Sequence, residues 1–218
     1  MNHDYGSLFV SMPTRVILIR HGESTGNAEG RFCGQMEFPL SELGRKQAAL
    51  TAAKLKQEPI SVVYSSDLSR AMETALPIAT DRNLEVNATP HFRERNMGDL
   101  HGLTFEEVKR NFPDQFESIM RRDADSAPTK GESHRQMYSR VSAEFDKIVA
   151  NHSGETIVIV AHGLVLHHIF RHIISARFDE EKFLLIVDNC AISRFELSDS
   201  GLWRIRTIND AGHLSALA

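Results

Sequence analysis

The sequence predicts an α/β fold, a three-layer α/β/α sandwich with a mostly parallel central sheet and a small helical cap insertion. Three observations lead there. The strand-sized stretches Thr14–Ile19, Ile60–Tyr64 and Thr156–Ala161 are apolar and rich in β-branched residues, the mark of strands buried on both faces. Each is followed by a stretch of helical periodicity, and strands alternating with helices imply a layered α/β architecture. Near the end, Ala191–Glu196 and Trp203–Ile208 alternate apolar and polar residues, as antiparallel strands do. A chain of 218 residues can bury roughly 70% of its unfolded surface, enough for one good core, and we read residues 1–218 as a single domain.

The elements follow in order. Residues 1–13 read as a loose leader, and Met12 is a candidate natural start. Thr14–Ile19 is the first strand. Ser41 is an N-cap for a helix to Gln57, with Leu43, Ala48, Ala52 and Leu55 on one face. Ile60–Tyr64 is the second strand, after which Asp67 caps a helix through Ala79. Leu84–Val86 is a short strand. Thr104-Phe105-Glu106-Glu107 is a capping box that opens a helix, which Pro113 interrupts. The segment 98–131 breaks the strand–helix alternation and reads as the cap. Glu132–Asn151 is the longest helical pattern, with Met137, Val141 and Phe145 on its stripe. Thr156–Ala161 is the third strand, followed by a helix from Leu164 to Ile174. The antiparallel pair closes the fold.

Composition narrows the function. Net charge is −4, so no electrostatic footprint for nucleic acid exists at the whole-chain level. The longest apolar runs fall far below the ~18 residues of a membrane span, and the first residues do not resemble a signal peptide. Two cysteines, Cys33 and Cys190, form neither a CxxC nor a disulfide framework, which suits a reducing, cytoplasmic location. The expected partner is therefore a small molecule, with neither nucleic acid nor membrane. The strand Ala191–Glu196, read as an exposed sheet edge, offers a surface for a homodimer.

Chemistry gathers where the three buried strands end. The first leads into Arg20-His21-Gly22-Glu23-Ser24, the second into Ser65-Ser66-Asp67-Leu68-Ser69-Arg70, and the third into His162-Gly163. In open α/β sheets ligands bind beyond the carboxyl ends of the strands. Two guanidiniums at one crevice suit a phosphate, because each makes bidentate hydrogen bonds to its oxygens. Gly22 and Gly163 let the backbone approach an anion closely. An imidazole beside arginines is pushed towards its neutral form, whose lone pair can attack phosphorus. His21 is thus the candidate nucleophile. A leaving oxygen needs a proton donor, and Glu94, on a loop before the turn Gly98–Gly102, is the candidate. Taken singly, each of these residues reads more readily as a solvated loop residue or a satisfied structural histidine than as a catalyst. Their shared position at strand ends is what favours catalysis.

These residues also resemble a known set. Leu18-Ile19-Arg20-His21-Gly22-Glu23-Ser24, followed by Asn27, Arg31 and Gly34, resembles the signature of the histidine phosphatase superfamily, also called the phosphoglycerate mutase-like fold. Pro39-Leu40-Ser41-Glu42-Leu43-Gly44, Tyr64–Ala71 with Thr74-Ala75, Phe92-Arg93-Glu94 with Gly98 and Gly102, Gly131-Glu132-Ser133 and Ala161-His162-Gly163 continue the likeness in order from about residue 16 to 196. The resemblance implies that His21 is phosphorylated. It implies that Arg20, Asn27, Arg70 and His162 hold the phosphoryl oxygens, and that Glu94 protonates the leaving group and then activates water. It further implies substrate contacts near Cys33-Gly34 and Gly163-Leu164. The Arg/His clamp would supply the transition-state charge stabilisation, so no metal and no cofactor are expected.

The family holds hydrolases and mutases. Glu94-Arg95 and the pair Arg121-Arg122 resemble features with which a cofactor-dependent phosphoglycerate mutase binds its substrate. The mutase's tyrosine and lysine are replaced here by Met97 and Phe105, its C-terminal tail has no counterpart, and the ending Asn209-Asp210-Ala211-Gly212-His213-Leu214 resembles the small-phosphatase branch. The expected function is metal-independent phosphomonoester hydrolysis through phosphohistidine on small phosphorylated metabolites. The alternatives are the mutase and a non-catalytic phospho-ligand binding module, which would have no need of both His21 and Glu94. Arg121-Arg122 reads equally as a second anion anchor or as a solvated turn. His167, His168 and His172 have metal-like spacing but lack the glutamate of a HExxH pattern, so a partly buried helix face explains them better. His101 stands where relatives often carry glutamate, which bears on the polarity of the pocket mouth, and Met97 and Phe105 would make that mouth more apolar.

Overall fold

A computed structural model describes residues 12–178 and 183–217. Residues 1–11 of the expected leader lie outside the described residues, while the candidate start, Met12, is described and exposed. Among the described residues, six strands form one sheet: β1 (Thr14–Arg20), β2 (Val62–Ser66), β3 (Val86–Thr89), β4 (Thr156–Ala161), β5 (Ile192–Leu197) and β6 (Trp203–Asp210). Their order is β3-β2-β4-β1-β5-β6. The first four in that order run parallel, β5 is antiparallel to β1, and β6 is antiparallel to β5. The helices are α1 (Thr25–Ala28), α2 (Glu42–Leu55), α3 (Ser69–Thr80), α4 (Phe105–Asn111), α5 (Pro113–Arg121), α6 (His134–Asn151) and α7 (Gly163–Ile173).

Alternation along the strands builds the three layers. Val16 and Leu18 of β1, with Ile157 and Ile159 of β4, face Met137, Val141 and Phe145 of α6 and Val165, Leu166 and Ile169 of α7. Ile17, Ile19, Val158 and Val160 point the other way, onto Ala52 and Leu55 of α2 and Ala71, Ala75 and Ile78 of α3. Strands covered on both faces have no polar face, which is why β1 and β4 carry continuous apolar runs. A smaller cluster of Met97, Leu100 and Val108, with Phe112, Phe116 and Ile119 against it, forms the inside of segment 98–131. The ends of that segment are stitched together: Asp99 N donates to Thr129 O at 3.0 Å and Glu132 N to Asn96 O at 3.0 Å. Gly98 sits there at φ +53°, and a Cβ on it would collide with the Thr129 carbonyl.

Several elements depart from expectation. The second strand begins two residues later, at Val62, and continues through Ser65 and Ser66, because pairing with β3 and β4 on both sides satisfies its backbone. The short strand expected at Leu84–Val86 runs instead over Val86–Thr89, since Leu84 N is used to close α3 on Ala79 O. Asp67 is not a helix cap: Leu68 holds that position without a side-chain bond, and Asp67 binds Arg93 instead at 2.7 and 2.6 Å. The short helix α1 was not anticipated; a reciprocal capping box between Ser24 and Asn27 makes it. Strand β5 is interior, flanked by β1 and β6, so Ala191–Glu196 presents no edge for a homodimer, and the edges are β3 and β6. No helix among the described residues is long and apolar enough to cross a membrane.

Candidate active site

The β1–β4 register determines where the chemistry sits. Arg20 pairs with Ala161, and His21 N donates to Ala161 O at 2.9 Å, so the ladder continues past β1 and sets His21 beside His162. Their ring centroids are 4.9 Å apart in an edge contact. Three backbone anchors hold this turn: Asn189 Nδ2 donates to His21 O (2.8 Å), Gly22 N donates to Thr74 Oγ1 (3.0 Å), and Cys190 N donates to Arg20 O (2.9 Å).

His21 Nδ1 lies 2.7 Å from Gly22 O. A carbonyl only accepts, so Nδ1 carries the proton and Nε2 keeps its lone pair. Burial, then Arg70 and Arg20, hold the His21 pKa well below the ordinary histidine value, so the ring is neutral at neutral pH. His162 Nε2 lies 2.9 Å from Ser66 Oγ, and burial followed by Arg70 and His21 depresses its pKa as well. Its Nδ1 is buried with no hydrogen-bond partner among the described residues.

Arg70, 1% exposed, donates to Met36 O at 2.9 Å and to Gly34 O at 2.7 Å, and Arg20 Nη1 donates to Val187 O at 2.6 Å. The Nε of each is buried without a partner among the described residues. Burial lowers both guanidinium pKa values, and the nearby Glu94 opposes the shift in each case. Glu94 follows the 3₁₀ turn Pro90–Phe92 after β3. Its Oε1 accepts from Arg95 N (2.7 Å) and its Oε2 from Leu164 N (3.2 Å). Asn27 Oδ1 accepts from Ser24 N and Ser24 Oγ in the capping box, which leaves its amide N–H groups as donors.

Arg20, His21, Asn27, Cys33, Gly34, Arg70, Glu94, Arg95, Arg122, Gly163 and Leu164 all border one cavity of about 400 Å³. Two expected residues do not line it. His162 lies against His21 but off the cavity wall, and Arg121 turns away to pair with Glu117, its side chain 73% exposed. Others carry different work from that expected. The Leu164 N–H is used by Glu94. Arg95 gives its guanidinium to Glu132 O (2.9 Å), Ser126 O (2.8 Å) and His134 Nε2 (2.9 Å), tying the Glu94 loop to the far end of segment 98–131. Cys33 is a buried thiol whose pKa burial raises. His101 lies off the cavity wall: its Nε2 accepts from Gln35 N (3.0 Å) and Met97 N (3.1 Å), the task a carboxylate would perform.

The metal-spaced histidines are each hydrogen-bonded within the fold. His168 Nε2 meets His134 Nδ1 at 3.4 Å, His167 Nδ1 accepts from Leu185 N at 3.2 Å, and His172 bridges Tyr138 and Asp146. Among the described residues no group of three side chains is placed to hold a metal ion. Sequence reading missed Ser66, Thr74 and Asn189 as supports, and the outer wall of Phe32, Ile119, Met120 and Leu184–Val187. Ser66 could have been suspected as a polar residue at the end of β2; Thr74 inside α3, Asn189 in the loop before β5 and the outer wall left no local signal.

The constellation offers a neutral imidazole nitrogen as nucleophile, two buried guanidiniums for an anion, and a carboxyl group for proton transfer. Comparisons with known proteins point the same way. A family model described as histidine phosphatase superfamily (branch 1) matches residues 16–211. The chain is 36% identical over 203 residues to phosphoglycerate mutase-like protein 4 of Arabidopsis thaliana, covering 91% of this chain and 86% of that one. It is 38% identical over 207 residues to a metal-independent phosphoserine phosphatase of the same plant, covering 94% and 84%. Among solved structures it is similar to YhfR of Bacillus stearothermophilus, with a TM-score of 0.86 at 28% identity over 93% of this chain and 100% of that one. It is also similar to a mycobacterial glucosyl-3-phosphoglycerate phosphatase, with a TM-score of 0.83 at 27% identity over 91% and 100%.

Proposed function

The chain belongs to the histidine phosphatase superfamily, branch 1, and on that premise we propose that it hydrolyses small phosphomonoesters without a metal ion, through a phosphohistidine on His21. The observation that carries this reading is the Nδ1–Gly22 O hydrogen bond, which fixes the tautomer that leaves Nε2 nucleophilic. In the first step Nε2 attacks phosphorus and the ester P–O bond breaks. The protonated Glu94 carboxyl gives its proton to the departing oxygen. In the second step the Glu94 carboxylate takes a proton from water, the water oxygen attacks phosphorus, and the N–P bond breaks to release phosphate and restore the lone pair. Arg20, Arg70 and the Asn27 amide hold the phosphoryl oxygens, and the arginine charges stabilise the transition state. His162, ordered by Ser66, supports the His21 ring from the side.

The phosphatase names among the relatives support hydrolysis. The mutase alternative asks for a two-armed arginine anchor, and of Arg121 and Arg122 only the second borders the cavity. Two buried free thiols suit a cytoplasmic protein. The test is release of phosphate from p-nitrophenyl phosphate in EDTA, with a ³²P-labelled phosphoprotein trapped at high pH and lost in His21→Ala. Activity abolished by EDTA overturns the metal-free mechanism, and an unaffected His21→Ala overturns the nucleophile. Interconversion of phosphoglycerates outpacing phosphate release establishes the mutase instead.

A further inference from the structure

We infer that the outer cavity selects monophosphate esters of apolar alcohols over esters of small charged ones such as phosphoserine and phosphoglycerate; the inference rests on the phosphatase reading above. The phosphoryl group occupies only the inner, polar end near Arg20, His21 and Arg70. Beyond it the wall is built from Phe32, Met97, Phe105, Ile119, Met120 and the stretch Leu184–Val187. Several of these are apolar yet solvent-facing: Phe105 is 46%, Met120 52% and Ile186 69% exposed. Scattered exposed apolar residues need no explanation, but these three, drawn from separate stretches of chain, converge on one cavity, which is how an apolar ligand site looks. Phe32 and Phe105 lie with ring centroids 4.3 Å apart, forming an aromatic surface, and the Met97 and Met120 thioethers adapt to varied shapes.

The charges argue the same way. Among the described lining residues Glu94 is the only carboxylate, and both its oxygens already accept backbone N–H groups. A substrate ammonium such as that of phosphoserine meets no second carboxylate there. Of the wall cations beyond the phosphoryl clamp, Arg95 is committed to the protein and Arg31 is bound to Glu29 (2.6 Å) and to Gly102 O (2.8 Å). Arg122 also borders the cavity, whose outer lining is otherwise mostly apolar.

The experiment compares kcat/KM for ethyl, butyl and hexyl phosphate, whose leaving oxygens are alike in basicity, with phosphoserine and 3-phosphoglycerate, and uses p-nitrophenyl phosphate as a general reporter. Each buried methylene should raise kcat/KM about fourfold, and hexyl phosphate should exceed phosphoserine and 3-phosphoglycerate about tenfold or more. Phe105→Ala and, separately, Met120→Ser should each lower the hexyl-to-ethyl ratio about fivefold. Either variant can fail to fold without removing the other, and thermal unfolding checks both. A flat, falling or undetectable alkyl series, or a faster charged ester, alongside hydrolysis of p-nitrophenyl phosphate overturns this inference alone. A rising series that neither variant alters overturns the assignment to this wall. No hydrolysis of any ester overturns the phosphatase reading and this inference with it.

Discussion

His21 depends on one backbone carbonyl for its tautomer and on two arginines and burial for its charge state. Its folded pKa lies well below 6.5, so protonation of this ring does not shut the enzyme down as pH falls through 6.5. A pH–rate profile should show no histidine-like loss of kcat/KM centred near pH 6.5, and such a loss would mean that His21 is not held neutral. Glu94 is placed to supply a proton, and the need for it grows with the basicity of the leaving oxygen. Glu94→Gln should therefore slow alkyl phosphates by about 100-fold or more and p-nitrophenyl phosphate much less; equal effects on both would remove the proton-transfer role. Gly34 adopts φ +44°, its carbonyl holds Arg70, and a Cβ there would strike the His101 ring. Gly34→Ala should cost roughly 1–3 kcal/mol of stability and weaken phosphate inhibition as Arg70 shifts. Unchanged unfolding and phosphate binding would count against this geometry.

At the scale of elements, the site is a product of pairing. His21 and His162 are 141 residues apart in the chain, and the Arg20–Ala161 register makes them neighbours. A one-residue slip would turn every apolar side chain of β1 to the opposite face, so the two apolar layers enforce the register and with it the catalytic geometry. The cap is held in a similar way. Arg95 joins the Glu94 loop to Ser126, Glu132 and His134: its backbone N–H holds Glu94 Oε1 and its guanidinium holds the other three, so one residue links the carboxyl group to the end of the segment that shapes the outer cavity. Arg95→Ala should destabilise the protein by about 2–3 kcal/mol, because buried carbonyls lose their donors, and should raise KM as well as lower kcat. Circular dichroism melts and steady-state kinetics check both parts.

For the whole molecule, the net charge of −4 is no obstacle to an anion site, because the potential that matters comes from arginines focused at the ends of buried strands. That arrangement has a consequence for acid stability. His21, His134, His162 and His168 all have lowered pKa values, chiefly through burial, with His134 at about 3 and His168 at about 2. Well above pH 6.5 these rings are neutral in both the folded and the unfolded chain and have no effect. As pH falls through 6.5 only the unfolded chain takes up their protons, so stability drops, by up to about 1.4 kcal/mol per pH unit for each ring. The drop continues towards pH 3 and 2 for His134 and His168. Urea midpoints measured at pH 7.5, 6.5 and 5.5 should fall modestly from the first to the second and more steeply from the second to the third; no decline would show that these rings titrate normally in the fold.

The sequence by itself determined the layers and the inner site. Continuous β-branched runs mark strands covered on both faces, the capping box at Thr104 marks a helix start, and the residues after each buried strand meet at one sheet end because parallel strands align their termini. Backbone-dictated features of this kind are local, and so they can be read locally. What only the tertiary structure decided is non-local. That β5 is interior follows from β6 pairing outside it. That Arg121 turns away while Arg122 borders the cavity follows from the end of α5, where Arg122 takes the left-handed conformation. The apolar outer wall joins Phe32, Met120 and Ile186 from three distant stretches, and no spacing along a chain encodes a distance that exists only after the chain has folded.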